Sequence, residues 1–243
     1  MIERYTPQTK EELKALVKDE SINLGDIDTS NITDMSYLFT NFTQTDFSGI
    51  EKWNTSNVKN MKHMFSLCKF FNQDISGWDT SKVENMDFMF HGCHLFDQDI
   101  SKWKVGNVES MEGMFWGCES FNQDISGWDT SKVENMDSLF ARTYAFNQNI
   151  GGWDTSNVEN MRGMFSGAIN FNQDIGSWDT SRVKDMSGMF YGTTSFNQDI
   201  SGWDVSNVED MTGMFENCPI DNSNKPKELQ DQKDQNFVRK QRL

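Results

Sequence analysis

Phe71-Asn72-Gln73-Asp74-Ile75-Ser76-Gly77-Trp78-Asp79-Thr80-Ser81-Lys82-Val83-Glu84-Asn85-Met86-Asp87 recurs without a change at residues 121–137. Around this phrase the whole chain is periodic. Trp53, Trp78, Trp103, Trp128, Trp153, Trp178 and Trp203 follow one another at intervals of 25. Three residues before each Trp stands Ile, as in Ile75 and Ile125, and five after it Val, as in Val83 and Val133. Met86 and Met136 follow three residues later, and then come Met89-Phe90 or Leu139-Phe140. An earlier unit, from Gly25 through Met35 to Leu38-Phe39, carries Ile27 in the Trp slot and one inserted residue, as a terminal repeat does.

A 25-residue unit with one apolar residue every three or four positions cannot enclose a core, whereas stacking lets each apolar slot meet its own copy. The expected fold is therefore an α/β repeat solenoid, a leucine-rich-repeat-like right-handed stack of about eight coils. The β-branched end of Ile-x-x-Trp-x-Thr predicts a short parallel strand in each coil. Val-x-x-Met-x-x-Met-Phe has the three- and four-residue spacing of a helical or 3-10 turn. Three regions follow: residues 1–24 as an N-terminal capping segment, 25–220 as the repeats, and 221–243 as a polar, flexible tail. Thr9-Lys10-Glu11-Glu12 fits a capping box ahead of Leu13, Leu16 and Val17, which predicts a helix over residues 9 to about 18. The Trp, Met and Phe columns are the expected core.

Composition narrows the function. The formal charge is −15, from 22 basic and 37 acidic residues, so nucleic acid is an unlikely partner. Nothing approaches the 18 apolar residues of a membrane span. The opening Met1-Ile2-Glu3-Arg4-Tyr5 lacks the apolar core of a secretory leader, which by itself points to the cytoplasm. No phosphate loop, nucleophile elbow or metal-ligand spacing is present, so neither an enzyme nor a bound cofactor or metal is expected.

The repeated phrase from Phe71 to Met86, with Met-Phe after it, resembles the BspA-type bacterial surface-protein repeat of mycoplasma, Listeria and Helicobacter-type proteins. The resemblance covers residues 25–220. It implies a leucine-rich-repeat-like fold, and for some members a surface location and binding of host proteins.

Polar columns have two meanings. Asp74, Asp99, Asp124, Asp174 and Asp199 are stacked carboxylates that either bind Ca²⁺ or form Asx turns; Asn149 in the same slot favours turns. Cys68, Cys93, Cys118 and Cys218 share one slot with Thr143, Ala168 and Thr193, which reads as a tight buried position of reduced thiols. His63, His91 and His94 fall in adjacent copies, a metal cluster or a chance grouping.

Function is sought where copies disagree. The slot two after the first Met reads His63, Phe88, Gly113, Ser138, Gly163, Gly188 and Gly213; the slot five after it includes His91, Trp116 and Tyr191. His63, Phe88, His91, Trp116 and Tyr191 are the candidate partner-binding residues. The expected function is a non-catalytic protein-binding repeat scaffold, a bacterial adhesin or host-interaction protein whose partner is another protein. The alternative is an acidic decoy occupying a basic nucleic-acid- or toxin-binding surface. An ice-binding Thr face is a weaker idea, since Val105 and Val205 interrupt it.

Overall fold

Most copies hold three places where a side-chain oxygen folds back on its own backbone; the copy with Lys104 and Ser110 keeps only the first, at Asp99. Asp74 accepts the Ser76 N–H at 2.9 Å, Asp79 that of Ser81 at 3.0 Å, and Asn85 that of Asp87 at 3.0 Å. Two copies on, Asp124, Asp129 and Asn135 do the same for Ser126, Ser131 and Asp137. Such Asx turns bend the chain every five or six residues. Between them the backbone closes tight turns: Trp78 N–H on Ile75 C=O, Val83 on Thr80, and Met89 on Met86.

In the computed structural model, which describes residues 5–230, these turns pile up copy on copy. One parallel bridge links each copy to the next, running Asp34, Asn60, Asn85, Ser110, Asn135, Asn160, Asp185, Asp210. The ribbon after each bridge shares its hydrogen bonds by alternation. Met61, His63, Phe65 and Leu67 donate across to the carbonyls of Asn85, Asp87, Met89 and His91, at 2.6–3.0 Å. Met64, Ser66 and Cys68 donate back within their own copy to Met61, His63 and Phe65. Every cross-copy N–H of this ribbon therefore points toward the C-terminal end of the stack.

The expected α/β solenoid of strand and helical turn does not form. Among the described residues there is no strand and one α-helix, and no repeated strand-turn-helix unit exists. The cause is local. Two of the ribbon residues in each copy are left-handed, as in His63 (φ 55°) with Leu67 (φ 64°) and Gly113 (φ 54°) with Gly117 (φ 72°). A left-handed residue at every fourth position is incompatible with either a helix or an extended strand. The 3–4-residue spacing of Val, Met and Phe is the spacing of successive turns, and Ile-x-x-Trp is itself a turn.

Helix α1, Lys10–Val17, starts at the Thr9 cap, whose hydroxyl accepts the Glu12 N–H at 3.2 Å, and buries Leu13 and Val17. Lys10 reaches Asp34 and Ser36 of the first copy, and Tyr5 pairs in parallel with Ile27. At the other end, short 3-10 segments occupy Asn222–Asn224 and Lys227–Leu229, within the stretch 221–243 expected as a polar, flexible tail. The rest of that expectation, residues 231–243, lies outside the described residues.

The core is a set of like-on-like columns. Trp53 and Trp78 stack at 6.4 Å and 3°, and each of the seven periodic indoles is at most 4% exposed. Each indole N–H is satisfied one copy back: Trp78 Nε1 donates to Ile50 C=O at 2.9 Å and Trp128 to Ile100 at 3.2 Å. Phe65 stands 3.9 Å from Phe71 and 5.8 Å from Phe90, joining two aromatic columns. Cys68, Cys93 and Cys118 donate their thiols to Phe39, Phe65 and Phe90 carbonyls, and Thr143 and Thr193 make the same bond with hydroxyls. Burial pushes the Cys68 thiol up to about 12. Among the described residues no buried side-chain nitrogen or oxygen lacks a partner.

Candidate functional site

The left-handed slot two after the first Met is a backbone position made for glycine, and Gly113, Gly163, Gly188 and Gly213 occupy it in four copies. In the three N-terminal copies it holds Tyr37 (φ 59°), His63 (φ 55°) and Phe88 (φ 54°). A bulky residue in the left-handed region costs of order 1–3 kcal/mol. Three in succession place rings on one face. Tyr37 stacks on His63 at 4.7 Å, and His63 on Phe88 at 4.7 Å.

The column then stops. The next slot is Gly113, over which the Phe88 ring lies so closely that a Cβ there would stand 2.5 Å from ring carbons. His91, its Nδ1 3.2 Å from Ser66 Oγ, stands edge-on to Phe88 at 6.0 Å and faces Trp116 at 4.9 Å. Trp116 is half-buried, unlike the seven periodic indoles. His63, Phe88, His91 and Trp116 thus form one continuous cluster, with Tyr37 as a member that composition of the later copies hides. Tyr191 does not touch it and lies three copies beyond Trp116, 44% exposed.

Between them runs an open trough of about 800 Å³. Small residues line it, among them Ser138, Ala141, Gly163, Ser166 and Gly188, with Phe88 and Trp116 from the earlier copies and Tyr191 and Thr212 from the later ones. Glu112, Asp137, Asp185 and Asp210 line it together with Arg142 and Arg162. Burial, with Asp87 and Asp137 nearby, raises the Glu112 carboxyl above its ordinary range. Burial chiefly, then the charges of Lys62 and His91, lowers the His63 pKa, and burial with His94 lowers that of His91. Both rings are therefore held neutral at pH 7. Sequence reasoning missed the two arginines and the glycine lining; the glycine column was in view, but only its left-handed geometry shows it as a depression.

No group of three His, Cys, Asp or Glu among the described residues is arranged to hold a metal ion. The Asp column instead serves its Asx turns, and His63 and His91 pack against neighbouring rings. No helix among the described residues is long and apolar enough to cross a membrane.

A family profile described as "Mycoplasma protein of unknown function, DUF285" matches residues 11–128 and 117–227. The chain belongs to this family. No curated protein matches it. The BspA-type, leucine-rich-repeat resemblance is corrected accordingly: the DUF285 match carries no assigned function, and the strand that defines a leucine-rich repeat is absent among the described residues. With it goes the protein-binding repeat scaffold or adhesin, which rested on the extended face of a leucine-rich-repeat-like solenoid that does not form. The acidic-decoy alternative also loses its ground, because Lys62, Arg142 and Arg162 interrupt the acidic residues on this face.

Proposed function

We propose that this DUF285 chain binds a carbohydrate chain, without turnover, along the trough between Trp116 and Tyr191. One observation carries this: Trp116, half-buried beside Phe88, lines an open polar depression, while every other Trp is packed away. Sugar rings offer apolar C–H faces to aromatic rings and a rim of hydroxyls that both donate and accept. Carboxylates at Asp137, Asp185 and Asp210 supply acceptors, and the guanidinium groups of Arg142 and Arg162 supply donors, within the same wall. A lining of small residues lets an extended polymer lie against backbone. Nucleic acid fits poorly, since its phosphates meet these carboxylates and a net charge of −15.

Calorimetric titration with chito-oligosaccharides, β-glucan fragments and hyaluronan fragments tests the proposal. Saturable binding to one of them is expected, weakened at least about tenfold by Trp116→Ala, the loss of roughly 1.4 kcal/mol of contact. Equal affinity in the variant, or no saturable binding to any of the three classes, overturns it.

A further inference from the structure

The two ends of the stack carry opposite halves of the contact that joins copy to copy. Inside the chain, Met186, Gly188, Phe190 and Gly192 donate to the carbonyls of Asp210, Thr212, Met214 and Glu216, while Glu209 N–H donates back to Lys184 C=O. At the C-terminal end the equivalent donors are Met211, Gly213, Phe215 and Asn217. Among the described residues they meet no acceptor, and Glu209 C=O meets no donor. At the N-terminal end the carbonyls of Asp34, Ser36, Leu38 and Thr40 meet no donor among the described residues, and Thr33 N–H meets no acceptor. Each end thus supplies what the other lacks, in the same order along the ribbon. The apolar slots correspond too. Val208, Met211 and Phe215 are only partly buried, whereas Val183, Met186 and Phe190 one copy earlier are 0% exposed. Ile32, Met35 and Phe39 hold the same slots in the first copy.

What differs is the cover. At the first copy, Leu13 and Val17 of α1 share one buried core with Met35, Leu38 and Phe39, and Lys10 bonds the Asp34 and Ser36 side chains. The helix therefore shields apolar surface but gives no backbone N–H to the four carbonyls. A cover that leaves carbonyls unpaired yields to a surface that pairs them. At the last copy, Lys225 Nζ stands 5.6 Å above the Phe215 ring, and the four donors stay unpaired. We infer that the C-terminal edge of one chain docks on the first copy of a second chain, in the place of α1, and that α1 is the stop that keeps chains single. Docking sets the N–H groups of Met211, Gly213, Phe215 and Asn217 on the carbonyls of Asp34, Ser36, Leu38 and Thr40, and Thr33 N–H on Glu209 C=O. This is the register that every inner contact already uses. The contact is head-to-tail, so each added chain presents a fresh C-terminal edge and chains with α1 released grow into a filament. Two C-terminal edges face to face bring N–H against N–H and do not pair.

Sedimentation velocity of the full chain, compared with the full chain carrying Leu13→Ala and Val17→Ala, tests this. The two substitutions loosen α1 and leave the inner copies, each held by its neighbours, in place. The wild-type chain should sediment as single chains, and the variant as a ladder of species that lengthens with concentration. Adding Met211→Lys to the variant sets a charge on the opposite end of the contact and should weaken the association at least about tenfold. A loosened chain that stays single overturns the inference. So does association that Met211→Lys leaves unchanged, which is how unfolded chains clumping through any apolar surface would behave. A wild-type chain that forms the same ladder overturns the role of α1 as the stop.

Discussion

At the scale of single residues, the repeat is held by side chains that each complete a specific bond. The slot shared by Cys and Thr shows this well. Cys93 and Thr143 differ in polarity but each donates to a buried phenylalanine carbonyl, at 3.0 and 2.7 Å. Sequence reasoning saw a small slot there and not a donor slot, because Ala168 also occupies it and a hydrogen bond is invisible in size alone. Glycine divides in the same way. Gly113 sits at φ 54° with the Phe88 ring on it, whereas Gly127 has open space where its Cβ would be. Gly113→Ala should lower stability by about 1–3 kcal/mol in urea unfolding, and Gly127→Ala by no more than about 0.5 kcal/mol. Equal effects at the two positions would show that the Phe88 ring does not rest on the ribbon.

At the scale of the element, the unit is a turn, and this is where sequence reasoning went astray. The 25-residue period was legible because Trp, Met and Phe mark it plainly. The local conformation was not, since turns closed every three residues give apolar spacings that imitate a 3-10 helix, and β-branched Thr80 or Thr130 imitates a strand end. Thr80 instead donates its hydroxyl to Lys104 C=O of the next copy, and Thr130 to Asp154. The capping box at Thr9 was easier to read, because its two partners are three residues apart and need no tertiary context. The Asx turns also set the pH response. Hydrogen bonds from the Ser hydroxyl and N–H two residues on lower the carboxyls of Asp79, Asp129, Asp179 and Asp204 below their usual 3.8. A carboxyl whose pKa is depressed by folding adds stability above its unfolded value and loses it as pH falls through the folded one. His63 and His91, with pKa values lowered from 6.5, act in the same direction at higher pH, since the unfolded chain binds protons first. The urea midpoint should therefore fall on acidification from pH 7 toward 5, and again below pH 4. A midpoint unchanged between pH 5 and 3 would mean that the turn carboxylates contribute nothing.

At the scale of the molecule, like residues meet like across copies, and the departures from likeness collect on one face. Tyr37, His63, Phe88, His91 and Trp116 form a ring cluster at the N-terminal half of that face, and the glycine-lined trough continues it toward Tyr191. The irregular slots were visible in the sequence. Their union into a trough with Arg142 and Arg162 was not, because Arg142 follows and Arg162 precedes the irregular slots of Ala141 and Gly163, and only the stacked ribbon brings the two arginines alongside. The indoles give this account its sharpest test. Seven belong to the dry column and one, Trp116, to the trough. Acrylamide quenching of tryptophan fluorescence, measured on the native protein and on Trp116→Phe, separates them. The native protein should show one accessible fraction over a protected majority, and Trp116→Phe should abolish the accessible fraction while leaving the protected emission in place. Undiminished quenching in Trp116→Phe would place the periodic indoles in water and contradict both the stacked core and the trough.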